Sequence, residues 1–182
     1  MDSRAKFYRT HVWLSQHSKE KHVTLEVSKW SPPEIVELAV SEDEREWVPT
    51  GNPGVHFRPL LFDTVGGAWV NVTRIRTAGL ITRHAHPCPV HAYVIKGQWK
   101  YLEREWPATA GDYVYEPPGD VHTLVGHEEE SLTMFWIKGT LVELDEAGNT
   151  TGYADVFTRI AQAEKHYDSV GLGADYVKKY IR

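Results

Sequence analysis

Two histidines stand one residue apart at His84 and His86. A third, His122, closes the segment Gly111-Asp-Tyr-Val-Tyr-Glu-Pro-Pro-Gly-Asp-Val-His122. Imidazole is the commonest protein metal ligand, and residues i and i+2 of a strand point to the same face. His84 and His86 can therefore grip one ion together, with the third ring delivered by a distant strand after a Pro-Gly turn. Three imidazoles on one side of an ion leave coordination positions open for a substrate and O2. A chance His-x-His is unremarkable among ten histidines; the surrounding punctuation makes this one specific. Gly79 lies five residues before His84, Gly97 closes the strand that follows, and Gly111, Pro117 and Gly119 precede His122 at fixed spacing. Glycine suits turns that other residues resist, and proline rigidifies the entry to the ligand strand.

Short β-rich runs broken by turns must position these rings. Candidate strands are Val55–Phe62, Ala68–Arg76, Thr82–His86, His91–Lys96, Trp99–Leu102, Tyr113–Glu116, His122–Val125, Leu132–Lys138 and Thr140–Leu144. Many short antiparallel strands at close spacing imply an all-β fold, a double-sheet jelly roll or small barrel. The barrel is expected over 47–145, after an N-terminal arm with a short helix (1–46) and before a C-terminal helical extension (146–182). Ser31-Pro32-Pro33-Glu34 reads as a helix start, with Ile35, Leu38 and Ala39 as its apolar face. Ser41–Glu46 is acidic and reads as a solvated loop. Glu146 to Asn149 reads as a turn, and Ala154–Tyr167 has helical periodicity, followed after Gly171 and Gly173 by a short terminal helix. Phe7, Val12, Trp13 and Leu14 are expected to pack on the body or on a partner subunit.

Composition narrows the classes. The 182 residues suffice for one domain with a core and terminal extensions. Seven Trp and nine Tyr favour a β-rich interior with aromatic-lined space. A net charge of -5 argues against nucleic acid, whose phosphates need clustered Lys and Arg. The single cysteine, Cys88, excludes an intramolecular disulfide and fits a reducing compartment; its expected role is small apolar packing. No apolar signal core precedes residue 22 and no run approaches a membrane span, so the cytoplasm is the expected location.

Glu116, six residues before His122, can accept the free N–H of a ligand histidine, orienting the ring and raising its basicity. Tyr93, Trp99, Tyr101, Tyr115 and Trp136 fall on strands expected to line or flank the barrel, and a substrate slot for an aryl ring would draw on them. Arg83 and Arg104 read as solvated strand-end residues. His11, His17, His22, His127 and His166 read as solvated side chains.

Residues 79–97 and 111–122 resemble the two motifs of the cupin superfamily, which implies a double-stranded β-helix and a bound metal. One position departs from that pattern. The usual cupin carries a Glu ligand shortly after His-x-His, and here the region reads Pro87-Cys-Pro-Val-His91-Ala-Tyr93. Counting forward from His86 puts His91 in that slot; counting back from Gly97 puts Val90 there. A three-histidine site is the main reading and His91 as a fourth ligand the alternative. A Glu at the spacing of Glu116 is similar to one in the three-histidine acetylacetone-cleaving cupins.

The string from His91 to Leu124, with Val55–Asp63 and Gly67-Ala-Trp69, looks like the 2,4'-dihydroxyacetophenone dioxygenase family. The likeness covers about residues 47–145. It implies Fe(II) held by His84, His86 and His122, with the substrate carbonyl and hydroxyl chelating two open positions and O2 taking the third. The implied reaction cleaves the bond between the ketone and hydroxymethyl carbons, consuming O2 and giving 4-hydroxybenzoate and formate. His91 and Glu116 are then the candidates for the base that removes the substrate proton. The implied partners are a small aromatic hydroxyketone and O2, in a homo-oligomer, with no nucleic acid or membrane. Competing readings are another three-histidine dioxygenase acting on a diketone or flavonol, and a non-catalytic metal-binding cupin sensor.

Overall fold

Period-two alternation organises the chain from Val48 onward. The computed structural model describes residues 31–182, and Pro33–Arg182 cluster as one unit. Its strands are Val48–Pro49 (β1), Val55–Asp63 (β2), Ala68–Ile75 (β3), Gly79–Ala85 (β4), Val90–Lys96 (β5) and Gln98–Tyr101 (β6). They continue with Pro107–Thr109 (β7), Tyr113–Glu116 (β8), Val121–Gly126 (β9), Ser131–Lys138 (β10), Leu141–Leu144 (β11) and Thr150–Ala154 (β12). A helix, Val156–Ser169 (α1), and a 3-10 helix, Ala174–Tyr180, follow. Two six-stranded sheets form, in the orders β1-β2-β3-β10-β5-β8 and β12-β11-β4-β9-β6-β7. This is the expected jelly-roll barrel, a double-stranded β-helix. Of the strands, β1, β7 and β12 escape the sequence reading: the first two are very short, and β12 is polar throughout except for its last two residues.

The interior is filled from alternate positions. On β3, Trp69, Asn71, Thr73 and Ile75 face inward while Val70, Val72 and Arg74 face out. Phe57, Phe62, Trp69, Val90, Ala92, Val94, Trp99 and Tyr101 belong to one buried cluster. The indole N–H of Trp99, deep in that cluster, donates to Thr133 Oγ1 at 2.9 Å, which removes the cost of burying an unpaired donor.

The outer face of the first sheet is covered by the segment before β1. Trp47, Val72 and Leu132 make a second buried cluster, with Ala39, Leu60 and Ile95 packed against it. Beneath this cover Arg58 is 1% exposed. Its Nε donates to Glu46 Oε2 at 3.1 Å and its Nη2 to Glu37 Oε2 at 3.2 Å. Two sequence expectations are corrected here. Pro33–Val40 is not helical: the Pro33 carbonyl accepts from Arg182 Nε, Glu37 is drawn to Arg58 and Lys179, and Val36 and Leu38 are left exposed. Of the expected apolar face, Ala39 packs on the second cluster while Leu38 stays exposed, so the ties to the barrel decide. The acidic stretch is not wholly solvated either, since Glu44–Glu46 is a 3-10 turn with Glu46 buried.

At the other end α1 starts two residues later than its periodicity predicts, because Asp155 caps it in a reciprocal capping box with Thr158. The chain end is docked: Arg182 N donates to Phe62 O at 2.8 Å, and Thr64 N donates to Arg182 O at 2.9 Å. No described helix is long and apolar enough to cross a membrane. Phe7, Val12, Trp13, Leu14, His11, His17 and His22 lie outside the described residues.

Burial works against the charge of Glu46, but hydrogen bonds from Ser41, Tyr176 and Arg58 outweigh it and bring the carboxyl down to about 2. A carboxyl depressed in the fold stabilises it above the unfolded pKa, and that contribution is lost as pH falls from about 4.5 toward about 2. Glu46→Gln is expected to cost on the order of 3 kcal/mol near pH 7, the range for breaking a buried pair. The deficit should shrink through the acid window, as read by chemical denaturation at pH 7 and pH 3. An equal deficit at both would remove the ionic basis.

Candidate metal centre

Register puts two of the three histidines side by side. His84 on β4 and His122 on β9 are direct cross-strand partners, so both rings project to the same face. His86 lies just past the end of β4, two residues on, and reaches the same space. The Pro-Gly turn before β9 is pinned to it, because Gly119 N donates to His86 O at 2.7 Å. Gly119 has φ 80°, a conformation glycine adopts freely. One ligand nitrogen from each ring lies within 4.8 Å of the other two, and the rings are 6%, 4% and 1% exposed in sequence order.

Acceptors face the distal nitrogens of two of the rings. His122 Nδ1 donates to Asp120 Oδ2 at 3.3 Å and His84 Nδ1 faces the Thr82 carbonyl at 3.4 Å. Each bond leaves the Nε2 lone pair free, as a metal ligand requires. Those two nitrogens face one another at 3.1 Å. Burial, then the neighbouring rings, drive the His84 pKa well below its usual value and that of His86 to about 4; burial also lowers His122. All three imidazoles are thus neutral at physiological pH. Two buried lone pairs pointing together repel unless a cation lies between them. Two nitrogens sharing an ion at about 2.1 Å and right angles would be about 3 Å apart, so the residues present fit a divalent ion.

Glu116 sits on the ion side of the rings, not behind them as the sequence suggested. Its Oε2 is 3.5 Å from both His86 Nε2 and His122 Nε2 and has no hydrogen-bond partner. Its Oε1 accepts from the Tyr101 hydroxyl. Burial pushes this carboxyl up to about 7, with the Tyr101 bond pulling the other way. Tyr101 also stacks on His122, ring centroids 3.9 Å apart. Val90 on β5 is the direct partner of Glu116 on β8. The carboxylate that β5 lacks therefore arrives from the adjacent strand. Behind His122, Arg104 Nη2 holds Asp120 at 2.5 Å. Arg104 is thus an orienting residue, contrary to its solvated reading.

A cavity of about 90 Å³ adjoins the rings. Its walls include Phe57, Trp69, Phe135, Ile137 and Leu141, with Asn71, Thr73, Glu143 and Arg159 among the polar groups. Of the five aromatic residues expected in the slot, Tyr101 lines it. Trp99 is core. Tyr93, Tyr115 and Trp136 point out of the first sheet, together with His91. His91 Nδ1 lies 2.6 Å from the Tyr113 hydroxyl, and its ring packs against Tyr115 and Trp136. His91 is therefore neither a fourth ligand nor a base for this site. The strand starts at Val90, so Val90, Ala92 and Val94 take the inward positions. Sequence reasoning missed Phe57, Asn71, Phe135 and Arg159, none of which lies in the two histidine motifs.

Comparison with known proteins agrees with this geometry. The ChrR Cupin-like domain family matches residues 36–142, more than half of the chain. The chain belongs to this cupin family. An RmlC-like cupin protein from Ralstonia eutropha JMP134 is 25% identical over 69% of this chain and 83% of its own, with TM-score 0.65. An acetylacetone dioxygenase from Acinetobacter johnsonii is 17% identical over 77% of this cupin and 99% of its own chain, TM-score 0.63; that likeness shows the fold. No curated protein matches.

His122→Ala is expected to abolish stoichiometric divalent-metal binding while the fold persists. Plasma emission analysis and the thermal midpoint with and without added metal would show it. Asp120→Asn should weaken metal retention by roughly 10- to 100-fold, the usual cost of losing a carboxylate behind a ligand histidine. Wild-type affinity in both variants would disprove the assignment.

Proposed function

We propose that this cupin is a mononuclear non-haem iron dioxygenase that cleaves the C–C bond of an aryl α-hydroxyketone, of the 2,4'-dihydroxyacetophenone type. The observation that carries the reading is the juxtaposition of three neutral, convergent imidazoles with a buried carboxyl beside an aromatic-walled cavity. His84, His86 and His122 would hold the ion. An Fe(II) ion on three imidazoles supplies Lewis-acid polarisation of the hydroxyketone and open positions for O2 chemistry.

The chain's own side chains do the rest. Phe57, Trp69, Phe135 and Ile137 pack an aryl ring and exclude water. Glu116 Oε2 faces the rings without a partner, and a carboxyl poised near neutrality can take the proton on the hydroxyl-bearing carbon. Tyr101 fixes the other oxygen of that carboxyl, so the proton enters at Oε2. A bare metal-binding sensor has no need of a poised carboxyl in an apolar cavity, which favours catalysis.

Protein loaded anaerobically with Fe(II) should convert 2,4'-dihydroxyacetophenone under labelled O2 into 4-hydroxybenzoate and formate. Each product should carry one labelled oxygen. Absence of oxygen uptake with any aryl hydroxyketone, at full iron occupancy, would sink the proposal. Glu116→Gln should lower kcat by about 100-fold or more, the scale of general-base loss, with iron content retained. Tyr101→Phe should shift the acid limb of the kcat–pH profile.

A further inference from the structure

Arg159 and Glu143 line the cavity beside His84 and His86, and neither has a part in the reading above. Glu143 on β11 is the direct register partner of His84. Arg159 comes from α1, which packs on β1, β2 and β12. Its guanidinium carbon lies 4.9 Å from the centroid of the Phe57 ring. Its Nη1 donates to Gln162 Oε1 at 2.8 Å, and Gln162 Nε2 donates to Pro49 O at 2.7 Å. The group is thus aimed by an aromatic plane and a tie to β1.

A guanidinium has five N–H donors in a fixed fork. One is satisfied here; the others have no partner among the described residues, and no described carboxylate lies within 4.0 Å. The buried arginines differ. Arg58 is bonded to Glu46 and Glu37, and Arg74 to Glu44 through two donors. Burial lowers the Arg159 pKa to about 10, with Glu143 opposing the shift from a distance, so the group stays charged at neutral pH. Arg159 is half-buried, and its free donors open onto the cavity it lines, where packing alone has no use for a cation. Its fork geometry matches a carboxylate held through two parallel bonds.

We propose that Arg159 is the anion-recognising residue of this cavity and that the substrate carries a carboxylate in addition to its ketone. The assignment rests on the proposed reading for the ketone end alone. Among the described residues Arg159 is the only Lys or Arg lining the cavity, so discrimination between acid and neutral substrate is concentrated in one side chain.

The test compares 4-acetylbenzoate with 4-acetylbenzamide, probes of nearly equal shape, by calorimetry on metal-loaded and chelator-stripped protein. Wild type should bind the acid at least tenfold tighter than the amide in both forms. Arg159→Gln should reduce that ratio to below twofold by weakening the acid alone, and Arg159→Lys should retain part of it. Equal binding of the two probes by wild type would overturn the proposal, as would an unchanged ratio in Arg159→Gln. A preference that disappears on stripping would also overturn it, because the carboxylate would then be reading the metal. Oxygen uptake is a separate readout: its failure would remove the dioxygenase reading and leave the acid preference standing.

Discussion

The contact between His84 Nε2 and His122 Nε2 is the constraint on which the rest depends. Two buried imidazole nitrogens 3.1 Å apart, each offering a lone pair, make an arrangement that protein alone does not stabilise. The fold nevertheless enforces it from several directions. Cross-strand register aligns the Cα atoms, Asp120 and the Thr82 carbonyl hold the distal nitrogens, Tyr101 stacks on one ring, and Gly119 ties the incoming turn to His86. Packing on this scale stores an electrostatic demand that a divalent cation satisfies, and metal binding would return that demand as stability.

Local spacing and local turns are what a sequence displays openly, and the ligand set was legible for that reason. His84 and His86 share a face because they are two apart; His122 follows glycine and proline at positions where the backbone needs them. Which face a strand turns inward is harder to read. A shift of one residue exchanges every side chain between core and solvent. On β5 the inward set is Val90, Ala92 and Val94, which sends His91 and Tyr93 outside, and Tyr115 and Trp136 follow through register with His91. Their partners are set by sheet order, which spacing along the chain does not contain.

The same reason explains the residues that went unread. Glu46, beside three other acidic residues, looks solvated until Arg58 is brought beneath it from β2. Asp120 and Arg104 are 16 residues apart and gain their role only when both stand behind His122. Arg159 on a helix looks like any surface cation. Folding places its helix over Phe57 and turns the guanidinium into the cavity. The jelly-roll class itself was readable from many short runs and their glycines, whereas the segment 33–40 was not, because tertiary ties outweighed a plausible cap.

Charge in the filled site would follow from this inventory. The cavity contributes two carboxyls, Glu116 and Glu143, against one guanidinium, and its imidazoles are neutral. A divalent ion therefore leaves an excess of positive charge even when both carboxyls are ionised, and a larger excess when Glu116 holds a proton. Such a cavity binds an anion better than its neutral parent. It would thus favour ionisation of a hydroxyketone at the ion, and any second anionic group would be drawn to Arg159. Glu116 can accept a proton in this setting because its other oxygen is already committed to Tyr101, and the Oε2 atom has no competing donor within the wall. The apolar walls strengthen each of these attractions by keeping water, and its screening, out of the space between them.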